Sequence, residues 1–495
     1  MALEPRTPPR ASADADPRLT SAAPPLVVSV EGGLLRGDLA AEAALAFLRE
    51  NPWRIFLLLL WLLRGPTALR RRLADRNAID AGALPVNDAL VELAETEHAR
   101  GREVHLVTEA DPRVAAQLAD RLGFVDGVVA GDGEEARAPV LQKRFPGGFA
   151  YAGGRAEDLP VWRAAREVVA VEPAGATLRA VETLEKPLSV IPRRPVGLRT
   201  IAKAARVHQW AKNALVAVPL VLGGRAFDPH AWATVLIGFV LLGLLASSTY
   251  VLNDLWDIDD DRRHWSKKDR AFASGRLPIW AGLAAAPIGI LIALVGAAML
   301  GGAVLASFLA YLVVTLAYSF RLKRIAVLDV FTLAALFTLR LVIGIALAAV
   351  PGSPWLLVFS MFIFSSLSFA KRHTEMVRVA LSGAEKASGR GYLAADAPFL
   401  IGMGVSTGMS AVLVMVLYLI EEAFRAGFYT TPAALWAFPC VLFLWLGRVW
   451  VLSGRDQLND DPVAFAVRDR PSLALGAVMA LAFLAAVLPR SLVFW

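Results

Sequence analysis

The sequence predicts an all-α polytopic membrane domain preceded by a soluble α/β domain, and three observations carry that expectation. Residues 213–495 are dominated by apolar runs long enough to approach or cross a bilayer. Residues 26–172 instead alternate short apolar strand candidates with helical stretches, the pattern of a parallel sheet. Lys and Arg gather in alternate loops between the apolar runs, which is a topology signal. Hydrophobic residues make up 56% of the 495, above the roughly 45–50% of ordinary globular chains, and the excess falls in the second half. The net charge of +7 follows the membrane loops and gives no reason to expect nucleic acid as a partner. Cys440 is the single cysteine, which excludes intrachain disulfides and multi-cysteine metal sites.

The first 25 residues are rich in Ala, Pro, Arg and Asp, lack the apolar core of a signal peptide, and are expected to be disordered. The soluble domain, 26–172, is then expected in the cytosol. Leu26–Val30 reads as a buried strand ending at Gly32-Gly33. A helical stretch over 38–100 is interrupted by the apolar patch Ile55–Leu63, too short to span and read as a membrane-surface contact. Further strands are expected at Glu103–Thr108, Gly127–Ala130, Gly148–Ala152 and Glu167–Val171, with a helix at Pro112–Leu122 closed by Gly123. Residues 173–199 hold Pro173, Pro187, Pro192 and Pro195 and read as a linker to the membrane domain, 200–495.

Nine apolar segments follow, near 213–224, 231–252, 279–300, 302–319, 325–349, 354–370, 399–420, 433–452 and 472–492. Basic residues fall in the loops after the second, fourth, sixth and eighth, which the positive-inside rule places in the cytosol of an inner (plasma) membrane protein, together with the soluble domain.

The second segment runs straight into Asn253-Asp254-Leu-Trp-Asp257-Ile-Asp259-Asp260-Asp261. At about 100° per residue, Asn253, Asp254, Asp257 and Asp261 would share an arc of roughly 100° on a continuous helix, with Asp260 just outside it. One-sided hard oxygen ligands suit Mg²⁺, which typically takes one or two carboxylates and leaves positions for water and substrate phosphates. On the same expected side lie Arg270; Tyr318, Lys323 and Asp329; Lys371 and Arg372; Arg390 and Tyr392; and, before the first segment, Lys212 and Asn213. Carboxylates with Mg²⁺ and several cations around one membrane cavity suit a diphosphate leaving group. Arg340 lies about 16 Å along a helix from Asp329, deep enough to be either a functional group or half of a buried ion pair.

The spacing Asn253-Asp254-x-x-Asp257-x-x-x-Asp261 resembles the first Asp-rich motif of the UbiA superfamily of intramembrane prenyltransferases, and the nine-segment layout agrees. Many relatives carry a second Asp-rich motif after the fourth span; this chain has Tyr318-x-x-x-x-Lys323 and the single Asp329 there. That departure, with the Arg206–Asn213 opening and Lys371-Arg372-His373, is similar to decaprenyl-phosphate phosphoribosyltransferases. The resemblance covers roughly 200–495. It implies a phosphoribosyl transfer from phosphoribosyl pyrophosphate to a polyprenyl phosphate, with pyrophosphate released. Asp254, Asp257 and Asp261 would hold Mg²⁺, Lys323, Lys212 and Arg390 would take phosphates, and Asp329 would contact the sugar or a second metal. The alternative is prenyl transfer from a prenyl diphosphate to an aromatic or other small acceptor. A homo-oligomer is compatible with either.

The soluble domain resembles haloacid-dehalogenase-type phosphatases, whose first strand ends in Asp-x-Asp-Gly-Thr. Here the stretch is Ser29-Val-Glu31-Gly32-Gly33, and the late acidic motif is reduced to Gly153-Gly154-Arg-Ala-Glu-Asp158. Thr108 fits the family's phosphate-binding hydroxyl, and its lysine would be Arg137 or Lys143. A serine replaces the nucleophilic carboxylate poorly, so the resemblance implies a domain without phosphatase activity.

Overall fold

A computed structural model describes residues 23–65, 69, 72–73, 80–109, 112–130, 137–193, 195–264, 267–383, 385, 391–458, 465–466 and 468–488. The residues divide into two compact units, one of Met1–Gly197 with Leu255–Trp280, the other of Leu198–Asp254 with Ala281–Trp495. Most of the expected disordered terminus, and Arg390, lie outside the described residues.

The first unit is built on six parallel strands, β1 (Leu26–Ser29), β2 (Val104–Thr108), β3 (Gly127–Ala130), β4 (Ala150–Gly153), β5 (Glu167–Val171) and β6 (Leu188–Ile191), in the order β3-β2-β1-β4-β5-β6. Every residue of β1, β2 and β4 is buried, as expected for strands of a parallel sheet covered on both faces. One face packs Leu26, Val28, Leu106 and Val169 into an apolar core; the other packs Val27, Val107, Tyr151 and Trp162. The helices are α1 (Leu39–Glu50), α2 (Ile55–Leu63), α3 (Asp88–Ala99), α4 (Pro112–Leu122), α5 (Arg137–Arg144), α6 (Leu159–Ala164) and α7 (Gly175–Glu182). Asp38 caps α1, accepting from the Ala40 N–H at 2.8 Å. Gly123, at φ +74°, closes α4 as its sequence predicts.

The stretch 173–199 is not the featureless linker that its prolines suggest. Pro173, Pro187 and Pro192 flank α7 and β6 and lie inside neither, so no ladder N–H is lost. In α2 only Leu58 and Trp61 are buried; Phe56, Leu59, Leu62 and Leu63 are all more than half exposed.

The second unit begins with α8 (Leu198–Ala204). The first expected span is then a 3₁₀ stretch, Val207–Ala217, followed by the five-residue α9 (Val218–Leu222). Pro219 stands in the first turn of α9, and Gly344 admits the Val216 backbone closely: a Cβ there would stand 2.3 Å from the Val216 carbonyl. Eight helices among the described residues are long and apolar enough to cross a membrane, one fewer than the nine segments of the sequence. They are α10 (Pro229–Trp256), α12 (Ile279–Leu300), α13 (Gly302–Phe320), α14 (Leu328–Ala348), α15 (Pro354–Leu381), α16 (Ala397–Glu421), α17 (Ala437–Gly454) and α18 (Arg470–Val487), with the short α11 (Ile258–Arg263) after α10.

Candidate active site

The continuous helix that would align the acidic residues is interrupted. α10 ends at Trp256, Asp257 starts α11, and its carbonyl accepts from the Asp261 N–H at 2.9 Å. Asp257 stands at the break, at φ −93° and ψ 13°. At this break Arg49 donates to the Trp256 carbonyl, at 2.7 Å through Nε and again through Nη2. In a continuing helix that carbonyl would accept from residue 260.

Within the membrane unit, Asp254 is buried and pairs with Arg206 at 2.5 Å. The Arg206 guanidinium also lies 4.7 Å from the Tyr250 ring centre. Lys323 brings its ammonium 3.5 Å from Asn253 Oδ1, so the loop after α13 does reach the first acidic stretch. Within the α/β unit, Asp257 is half-buried and Asp261 is buried, paired with Arg270 at 2.6 Å. Among the described residues, no three His, Cys, Asp or Glu side chains converge into a group ready to hold a metal.

A second cluster joins Asp329, Arg372, Tyr318 and Tyr392. Arg372 donates to Asp329 Oδ2 at 2.6 Å, to Glu375 at 2.7 Å and to the Tyr318 hydroxyl at 3.3 Å. Tyr392 donates to Asp329 Oδ1 at 2.8 Å and accepts from the Val327 N–H at 2.7 Å. Burial, and then the Asp329 charge, push the Tyr392 phenol above its ordinary range. Val327 holds φ +66°, a left-handed conformation that costs a β-branched residue and is kept only where the surroundings enforce it. Gly391 helps to enforce it: a Cβ there would stand 2.5 Å from the Arg324 carbonyl. Asp329 is 0% exposed and Arg372 1%. Both oxygens of Asp329 are thus engaged, by Arg372 and by Tyr392. Lys371 is half-buried on the same helix.

The third cluster lies inside the bundle. Arg340 donates to Asn213 Oδ1 at 3.1 Å, to the Tyr311 hydroxyl at 2.9 Å and to the Leu336 carbonyl at 2.7 Å. Its guanidinium also lies near the Tyr311 and Phe337 rings, and Lys212 places its ammonium 5.8 Å from the Phe337 centroid. No carboxylate pairs with Arg340 among the described residues, so the ion-pair alternative for it is not realised. Asn213, 1% exposed, leaves Nδ2 without a partner among them. The result is a group rich in cations and donors, held by neutral acceptors in a low-dielectric interior. The sequence pointed to Lys212 and Asn213 and left Arg340 undecided. Tyr311, an aromatic in an apolar helix, carried no signal at all.

At the strand ends of the α/β unit, Thr108 donates to Glu31 at 2.5 Å. Asp158 accepts from Tyr151 at 2.9 Å, from Arg137 at 2.7 Å and from the N–H groups of Gly154 and Arg155. Arg137 also pairs with Glu109 at 2.6 Å. Arg137, rather than the exposed Lys143, is thus the cation of this cluster. Burial, and then Asp158, raise the Tyr151 phenol far above its usual range.

Among the described residues, eight membrane-length helices, with acid–arginine pairs at the ends of some and a cation-rich group within, define an integral membrane protein with a polar interior. The chain belongs to the UbiA prenyltransferase family, whose model matches residues 214–468, just over half of it. It is accordingly an integral membrane transferase. It is 38% identical over 474 residues to the protein y4nM of Sinorhizobium fredii, an alignment spanning 94% of this chain and 91% of that one. It is 34% identical to the nodulation protein NoeC of Azorhizobium caulinodans over 58% of this chain and 93% of NoeC. To the decaprenyl-phosphate phosphoribosyltransferase of Mycobacterium tuberculosis it is 33% identical over 188 residues, 37% of this chain and 62% of that enzyme.

Proposed function

We propose that the protein transfers a phosphoribosyl group from phosphoribosyl pyrophosphate to a polyprenyl phosphate at the cytosolic face of the membrane. The observation that carries this reading is the lysine on the acidic stretch: Lys323 reaches Asn253, in a loop where a second set of carboxylates would suit two diphosphate-bound metals. One cation in place of those carboxylates suits a donor whose own phosphates bring the charge. The similarity to phosphoribosyltransferases over residues of the membrane domain supports the same choice.

Hard carboxylate and amide oxygens fit Mg²⁺ in type, and Asp254, Asp257 and Asp261 would hold it once Arg206 and Arg270 release two of them. When bound, it would neutralise the charge that gathers on the departing diphosphate. Lys323, Lys212 and Arg390 bind phosphate oxygens, and Arg340, with Asn213, provides donors deeper in the bundle. An oxygen of the lipid phosphate attacks the anomeric carbon as the bond to the diphosphate oxygen breaks. That nucleophile is already ionised near neutral pH, so no strong general base is needed. The exposed leucines of α2 suit insertion at the membrane surface beside flanking arginines.

The test is incubation of the purified protein in nanodiscs with Mg²⁺, a polyprenyl phosphate and radiolabelled phosphoribosyl pyrophosphate. Labelled lipid that is lost with EDTA is expected. No labelled lipid from folded protein overturns the reading in favour of a prenyl diphosphate donor.

We also read the α/β unit as phosphatase-like in fold and without phosphatase chemistry. Ser29 stands at the end of β1 where a carboxylate nucleophile is needed, and its hydroxyl donates to the Glu31 carbonyl at 3.0 Å. Asp158 is fully engaged by Arg137, Tyr151 and two backbone N–H groups. The full chain with Mg²⁺ and p-nitrophenyl phosphate is expected to release no phosphate above the rate of buffer; turnover that Ser29→Ala removes would overturn this.

A further inference from the structure

Residues 255–280 run in sequence between two membrane-length helices, yet they fold into the α/β unit. The attachment is made by one face of α1. Glu42 takes Arg262 in a bidentate pair at 2.5 and 3.1 Å, with side chains 6% and 5% exposed. Arg49 follows seven residues on, two turns along the same face, donates to the Trp256 carbonyl and pairs with Asp259. Arg262 also donates to the Ala273 carbonyl at 3.3 Å, which ties the far side of the loop to the same point. Gly275 completes the fit: it holds φ +69°, and a Cβ there would stand 2.8 Å from Arg36 Cβ. The exposed Arg263–Asp80 pair adds little.

These contacts decide how the acidic stretch runs. Arg49 takes the Trp256 carbonyl at the point where α10 stops and α11, which carries Asp261, starts. With Glu42 on Arg262, the residue beside Asp261 is fixed in a buried, paired position. A buried arginine deprived of its carboxylate is strongly unfavourable, so the loop's placement depends on a helix more than 200 residues away in sequence.

We propose that α1 is a clamp on the Asp-rich segment, with Glu42 and Arg49 as positioning residues that act through Arg262 and the Trp256 carbonyl on Asp257 and Asp261. This rests on the reading that those carboxylates serve the transfer. It gives the α/β unit a role that needs no chemistry of its own: it sets the geometry of the acidic turn that it contains.

The test uses the full chain in nanodiscs as wild type, Glu42→Gln, Arg49→Met and the exchanged pair E42R/R262E. Backbone hydrogen exchange is followed over residues 255–263. In Glu42→Gln and in Arg49→Met, exchange there is expected to quicken by about tenfold or more. The exchanged pair should return it to within about threefold of wild type, because complementary charge is what holds the segment. In the same samples, the Mg²⁺ concentration for half-maximal transfer should rise by about tenfold in Glu42→Gln, with a smaller change in the rate at saturation, and recover in the exchanged pair. Unchanged exchange in Glu42→Gln overturns the clamp. Faster exchange with unchanged Mg²⁺ dependence overturns the positioning role. If the wild type labels no lipid, the phosphoribosyl reading fails. Protection of the same peptides by Mg²⁺, lost in Glu42→Gln and regained in the exchanged pair, then decides the proposal in place of transfer.

Discussion

Asp257→Asn is expected to lower transfer by roughly 10³-fold, the scale of losing several kcal/mol of charge stabilisation at the leaving group, and to leave folding untouched. Of the three candidate ligands, Asp257 gives the cleanest test. Asp254 and Asp261 each neutralise an arginine, Arg206 and Arg270, so their removal would disturb local structure as well as any bound cation. Asp257 is half-buried and its side chain makes no capping bond to α11. An isosteric amide there keeps the shape of the side chain and removes only its charge. Asp260→Asn, one turn position away and exposed, serves as the control and should retain wild-type transfer. The measurement pairs the label-transfer rate with a thermal unfolding scan in detergent. Full activity in Asp257→Asn would remove the metal assignment. Equal losses in Asp257→Asn and Asp260→Asn would point to general negative charge in place of ligation.

Much of the architecture was legible because it rests on local patterns. The strands announce themselves as short apolar runs between turn residues, and β1, β2, β3 and β5 fall within a residue of their expected bounds. The membrane helices follow from length and hydropathy alone. What escaped depends on partners distant in sequence. β6 hides among prolines because proline density marks a loop only when the prolines fall inside elements, and here they bracket them. The break at Asp257 has no mark in the periodicity of the acidic stretch, which cannot register that Arg49 would take the Trp256 carbonyl. The membership of 255–280 in the α/β unit has no signature in composition at all, since Glu42 and Arg262 are unremarkable as single residues. The same limit explains the site assignments. Residue type and spacing picked out Tyr318, Asp329, Arg372 and Tyr392 as a group. Only side-chain geometry reveals that they bind one another.

That mutual engagement predicts an asymmetry. Arg372→Met should destabilise the membrane domain by about 3–5 kcal/mol, because it strands a fully buried Asp329 carboxylate. Asp329→Asn should cost less, about 1–3 kcal/mol. The amide oxygen can still accept from Tyr392, and Arg372 keeps Glu375 and Tyr318 as partners. The helix start favours a negative charge at residue 329 but cannot replace the guanidinium, since the dipole contributes only about 0.3–1 kcal/mol in ordinary settings. The double variant R372M/D329N should recover part of the single arginine loss, as expected when a buried pair is removed together. Unfolding midpoints in mixed micelles would measure all three, with transfer assayed in parallel at a temperature where each remains folded. If Arg372→Met keeps wild-type stability and loses only transfer, the cluster binds substrate and its internal pairing is incidental. If stability falls in the predicted order, Arg372 and Asp329 are the knot that fixes α14 against α15. The phosphate-binding role then rests on Lys323, Lys212 and Arg340.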